Sequence, residues 1–167
     1  MGIMEMIFKK TDKNHPEDQK GFFAPFSGRL IPLEEVPDPV FSQKMMGEGF
    51  ALIPNEGDIH SPVAGKVLNI FPTKHAIALL SDEGYEILLH FGMDTVLLKG
   101  DGFTAYVEEG DPVAVGQLLL KVDLGKVKPQ VPSLITPIVF LNLNEKTVQL
   151  AKEGLVARGE RIFLEIK

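Results

Sequence analysis

Apolar and polar residues alternate along this chain in short bursts. After Gly21, runs of four to eight apolar residues are separated by Gly, Pro and Asp-Gly steps: GRLIPL, GFALI, GKVLNIF, HAIALL, YEILLHFG, GQLLLKV, SLITPIVFL and GERIFLEI. Runs of that length between turn-formers predict many short strands, and so an all-β sandwich or barrel with little helix. Only EKTVQLAK (145–152) reads as a helical turn or two. The first twenty residues differ. Ile3, Met4, Ile7 and Phe8 share one helical face, Lys9 and Lys10 follow, and residues 11–20 are almost wholly polar. Two readings stand for this 1–20 segment: a flexible tail, or a short amphipathic helix making weak contact with a membrane surface. Residues 21–167 form a single domain.

The runs also repeat. APFSGRLIPL (24–33) parallels SPVAGKVLNI (61–70), and EEGDPVAVGQLLLKV (108–122) parallels KEGLVARGERIFLEI (152–166). Two interleaved copies of one motif would produce this pattern, each copy carrying glycines where a tight turn needs positive φ.

Composition narrows the function. A net charge of −6 lacks the basic footprint of a nucleic-acid binder. The absence of cysteine removes disulfides, thiol nucleophiles and thiolate zinc sites, and suits a cytoplasmic protein. Neither a bilayer-spanning run nor a secretory leader is legible.

The chemistry concentrates in HAIALLSDEGYEILLHFG (75–92), which carries two of the four histidines. A turn centred between Asp82 and Glu83 makes 76/89, 78/87 and 80/85 an apolar face and sets His75 opposite His90, with Cβ atoms ~5 Å apart. A bulge at Gly84 would instead shift the pairing by one residue and send the histidines to opposite sides. We favour the first register. Two close imidazoles cannot comfortably both be cations, so one keeps a lone pair for nucleophilic, basic or metal-binding work. Thr73, two residues before His75, is placed to fix its tautomer. His15 and His60 read as solvated.

GYEILLHFGMDTV (84–96) resembles the signature of the IIA glucose-family components of the bacterial phosphoenolpyruvate-dependent sugar phosphotransferase system. The likeness continues in LEEVPDPVFSQKMMGEGFAL (33–52), SPVAGKV, FPTKHAIAL, LKGDGF and EEGDPVAVGQ, in family order over about residues 22–167. The resemblance implies an antiparallel β-sandwich/barrel of the duplicated hybrid motif type and a phosphoryl carrier. His90 would accept the group from a histidine-containing phosphocarrier protein and pass it to a cysteine of a sugar-specific IIB domain of a IIB/IIC permease. His75 would assist transfer and stabilise charge, Thr73 would orient His75, and Asp38 and Asp94 would be the acidic residues beside the site. Val40, Phe41, Met45, Met46, Phe71, Leu88 and Val96 are expected to form an apolar docking rim. The resemblance implies no cofactor beyond the transient phosphate on His90 and leaves open a regulatory role toward other permeases or enzymes. A monomer is expected.

Two rival readings stand beside this one. His75, His90 and Asp94 could hold the zinc of a hydrolase with a related fold, or the histidine pair could share a zinc with a partner's carboxylate. Lys44-Met45-Met46 faintly resembles the lysine turn of a biotinyl or lipoyl carrier. Neither the sugar nor the IIB partner is written in the sequence.

Overall fold

The computed structural model describes residues 19–167. The apolar face of residues 3–8 therefore lies outside the described residues, as does His15. Gln19 and Lys20, assigned to the tail, are tied to the domain: the Val115 N–H donates to Gln19 Oε1 and Arg161 donates to the Lys20 carbonyl.

The strands are β1 (Phe22–Phe23), β2 (Gly28–Pro32), β3 (Glu48–Pro54), β4 (Asp58–His60), β5 (Gly65–Ile70), β6 (Ala76–Ser81), β7 (Glu86–His90), β8 (Phe103–Ala105), β9 (Pro112–Val113), β10 (Leu118–Val122), β11 (Thr136–Phe140), β12 (Val148–Leu150), β13 (Gly154–Val156), β14 (Arg161–Ile162) and β15 (Leu164–Ile166). All their pairings are antiparallel. Eight form one sheet in the order β13-β2-β3-β11-β7-β6-β5-β9, and smaller sheets β4-β10-β8, β1-β14 and β12-β15 complete the architecture. Among the described residues no helix is long and apolar enough to cross a membrane.

The sequence repeats occupy matching places. β2 and β5 are each second from an edge of the large sheet, and β13 and β9 are the edges beside them. Gly28 and Gly65, which open β2 and β5, do not have positive φ as expected. Each instead lies where a Cβ would strike a carbonyl of the adjacent strand, Ile53 O at 2.2 Å and Leu80 O at 1.9 Å. Close strand approach, not turn geometry, demands these glycines. In the second repeat pair, Gly116 and Gly159 do adopt positive φ, 83° and 81°.

The expected helix at 145–152 is not formed; Val148–Leu150 is β12, paired with β15. A one-turn helix forms instead at Pro39–Ser42, where Asp38 caps it by accepting from the Val40 N–H at 2.9 Å and Pro39 supplies a ready-made helical φ.

The main core includes Phe26, Phe50, Leu79, Ile87, Phe91, Leu119 and Phe140. A second apolar cluster joins Ile31, Leu33, Phe41, Ala51, Ala76, Ala78, Leu88 and Val139. It forms on the sheet's other face, where the segment around Leu33–Ser42 covers the strands. The sheet is therefore buried on both faces around β6 and β7.

That double burial explains a correction. Ala76 stands opposite His90, Ile77 opposite Leu89 and Leu79 opposite Ile87, one residue away from the register favoured by polarity. Asp82, Glu83 and Gly84 form a three-residue loop, and Gly84 takes φ 94° at its end with open space around it. Sorting polar from apolar faces fails where both are covered.

Candidate functional site

With Ala76 opposite His90, regular alternation would turn His75 toward the main core. His75 is not in the regular strand. Lys74 N–H donates to Phe71 O, and Lys74 has φ 58°, so a tight turn ends immediately before His75. The turn releases His75 from the pleat, and its ring comes to lie 4.8 Å from the His90 ring, centroid to centroid, at 82°. The histidines meet, but not as directly opposed residues.

Each ring is held at Nδ1. His90 Nδ1 bonds to the Gly92 carbonyl at 2.9 Å. A carbonyl only accepts, so Nδ1 carries the proton and Nε2 keeps the lone pair. His75 Nδ1 lies 2.5 Å from Thr73 Oγ1, so Thr73 sits where its expected role requires. Phe41 tilts against His90 at 5.1 Å and Phe71 meets His75 edge-on at 5.6 Å.

Burial lowers both imidazoles. His75 is pushed down to about 4, first by desolvation and then by repulsion from His90. His90 is also lowered by desolvation; the Gly92 carbonyl and the Asp38 charge oppose that effect. Both rings are thus neutral near pH 7.

The remaining expected residues divide. Val40, Met45, Met46 and Val96 are exposed, Met45 to 70%, and can meet a partner. Phe71 is half-buried. Phe41 and Leu88 are only 4% and 3% exposed, so they are not rim residues. Both belong to the second apolar cluster, where Phe41 supports His90 from below. Asp38 acts on the helix cap and on His90 electrostatically. Asp94 is exposed with φ 59°, and its side chain makes no cap bond to the turn Thr95–Leu98.

Among the described residues no group of three or more His, Cys, Asp or Glu is placed to hold a metal, so the hydrolase reading lacks its third ligand. Lys44 is bridged to Glu34 at 2.9 Å and Glu48 at 3.2 Å, which ties down the amine a carrier lysine would present. His60 is not simply solvated: it is half-buried in β4, and its Nδ1 is enclosed without a partner among the described residues.

Sequence reasoning missed the Gly92 carbonyl and the buried support from Phe41. Asp38-Pro39 was a legible helix-start signal. The carbonyl had none, because any residue offers one.

The family described as "phosphoenolpyruvate-dependent sugar phosphotransferase system, EIIA 1" matches residues 20–146. A glucose-specific EIIA component of Staphylococcus aureus is 43% identical over 163 residues, covering 96% of this chain and 98% of its own. A glucose-specific EIIA component of Halalkalibacterium halodurans is 45% identical, with 95% and 91% covered. A glucose-specific EIICBA component of Staphylococcus carnosus is 47% identical over 142 residues, which is 85% of this chain and 21% of that one. Among solved structures, glucose permease IIA from Mycoplasma capricolum superposes with a TM-score of 0.81 at 44% identity, covering 86% of this chain and 93% of that one.

Proposed function

Because the chain belongs to the EIIA 1 family of the phosphoenolpyruvate-dependent sugar phosphotransferase system, we propose that it is a phosphoryl carrier whose acceptor atom is Nε2 of His90. The observation that carries this is the bond from His90 Nδ1 to the Gly92 carbonyl. It presents a single nitrogen lone pair, at Nε2, on a ring already neutral.

The donor is a phosphohistidine of a histidine-containing phosphocarrier protein. Nε2 of His90 attacks its phosphorus, an Nε2–P bond forms and the donor's N–P bond breaks. The charge gained by the His90 ring is stabilised at Nδ1–H by the Gly92 carbonyl. The acceptor is a cysteine thiolate of a IIB domain. Its sulfur attacks the phosphorus and His90 leaves as neutral imidazole, still protonated at Nδ1. No proton enters or leaves His90 in either step, so the site needs positioning and charge stabilisation more than a general base.

His75 supplies the second part. With the Thr73 hydroxyl donating to Nδ1, His75 carries its proton on Nε2 and can donate it to a phosphoryl oxygen. Its low proton affinity keeps it neutral until that charge arrives. Val40, Met45, Met46 and Val96 supply exposed apolar area for both partners, and flexible methionines suit a surface that must fit more than one. The EIICBA relative supports a IIB domain as the acceptor, and the relatives' names support glucose as the sugar served. The scheme uses no cofactor. A zinc held by His75 and His90 would need its further ligand from a partner.

Incubation with phosphoenolpyruvate, enzyme I and the phosphocarrier, followed by intact mass, should yield one acid-labile phosphate. His90→Ala should abolish it. His75→Gln should accept phosphate and pass it on poorly. A phosphate stable to acid, one on another residue, or none would overturn the proposal.

A further inference from the structure

The Gly92 carbonyl selects the His90 tautomer, so whatever holds that carbonyl controls the nucleophile. Gly92 has φ 70°, in a region where a peptide plane beside glycine can rotate at little steric cost. Two consecutive peptide groups there are nevertheless pinned. In the Phe91–Gly92 peptide, the Phe91 carbonyl accepts from Thr95 Oγ1 at 2.6 Å, and the Gly92 N–H donates to Thr136 Oγ1 at a longer 3.4 Å. In the next peptide, the Met93 N–H donates to the Ser133 carbonyl at 2.9 Å. That leaves the Gly92 carbonyl facing His90.

Thr95 and Thr136 are both 0% exposed. Thr136 donates its own hydroxyl hydrogen bond to the Leu134 carbonyl at 3.0 Å, which leaves its oxygen as the acceptor for Gly92. Thr95 has a second grip: a Cβ on Gly92 would lie 2.9 Å from its methyl carbon, so the methyl packs directly against the glycine. A buried hydroxyl is retained against the cost of desolvation only where it is satisfied, and these two satisfy opposite ends of one peptide plane.

We propose that Thr95 and Thr136 are positioning residues that clamp the Phe91–Gly92 peptide and thereby hold His90 in the Nδ1–H tautomer, with Thr95 the stronger arm. The clamp rests on His90 as the phosphoryl acceptor only for its functional consequence; the tautomer is independent of that reading. Without the clamp the Phe91–Gly92 peptide can turn about the permissive Gly92 backbone. The following Gly92–Met93 peptide, then held only by Met93 N–H to Ser133 O, tilts its carbonyl away from His90, and the imidazole proton divides between its nitrogens. The fraction of His90 with an attacking lone pair at Nε2 falls accordingly.

The test is nitrogen NMR of ¹⁵N-histidine-labelled protein, together with phosphorylation rate and thermal unfolding. Thr95→Val keeps the size and the methyl but removes the hydroxyl. Thr95→Ser keeps the hydroxyl. The valine variant should show mixed His90 tautomers and a roughly tenfold to hundredfold slower phosphoryl acceptance; the serine variant should restore the single tautomer. If Thr95→Val does not fold, Thr136→Val makes the same test with a smaller effect. A folded valine variant with the wild-type tautomer, or a serine variant as mixed as valine, overturns the clamp. A lost tautomer in Thr95→Val alongside an undiminished phosphate that survives His90→Ala would uphold the clamp and refute His90 as acceptor.

Discussion

Replacing His75 by glutamine should change how stability depends on pH, not only its value. His75 is 4% exposed and its proton affinity is pushed down to about 4 from an ordinary 6.5. Below pH 6.5 the unfolded chain takes a proton on this residue that the folded chain refuses. Stability therefore rises with pH across the window from about 4 to about 6.5, is complete above it, and is lost as pH falls. For one such group the linkage amounts to about 2 kcal/mol at about pH 5 and about 3 kcal/mol below pH 4. Solvent at the mouth of the site screens part of this, so a difference of about 1–2 kcal/mol is expected at about pH 5. His90 titrates in the same direction, and Glu34, lowered by its bond to Lys44, adds its own slope. Comparing His75→Gln with wild type removes those shared contributions. Urea unfolding of both proteins at about pH 7.5 and about pH 5, with equal m values, gives the four free energies required. Wild type should lose about 1–2 kcal/mol more than the variant between the two conditions. Parallel losses would refute the claim that burial holds His75 neutral.

Gly92→Ala should be destabilised by about 1–3 kcal/mol through its left-handed backbone, because the new Cβ would also stand 3.0 Å from the Ser133 carbonyl; phosphate acceptance should fall with it, measured by intact mass over time. Phe41→Ala should cost about 3–5 kcal/mol in denaturant unfolding, since a 4% exposed ring is removed from beneath His90. Met45→Ser, at a side chain 70% exposed, should shift unfolding by less than about 0.5 kcal/mol while weakening binding to the phosphocarrier, read by calorimetry. An unfolding shift for Met45→Ser as large as that for Phe41→Ala would mean the apolar rim has been drawn in the wrong place.

Much of the fold is legible because its code is local. Short apolar runs between Gly and Pro steps specify β2, β3, β5, β6, β7 and β10, and duplicated phrases foretell the matched positions of β2 and β5. What the runs do not carry is which faces are covered. The favoured hairpin register assumed one buried face, and Leu33 and Phe41 cover the other. The same omission put Phe41 and Leu88 on the docking rim, since an apolar residue beside an active histidine reads alike whether it faces solvent or a covering segment. EKTVQLAK misled differently: Val148–Leu150 is a strand because β15 pairs with it, and tertiary pairing overrides weak local preference.

The chain alone determined the composition of the site: two histidines near one hairpin, a threonine two residues before the first, and a glycine two residues after the second. Spacing along a strand and turn chemistry are written residue by residue. Tertiary structure decided their use. The turn ending at Lys74 released His75 from the pleat, and burial of the two rings made both imidazoles neutral. Thr136, 44 residues from Gly92, reached the peptide just before the carbonyl that holds His90. Burial, tautomer and proton affinity depend on groups brought together from distant parts of the chain, so they exist only once the sheet has closed around them.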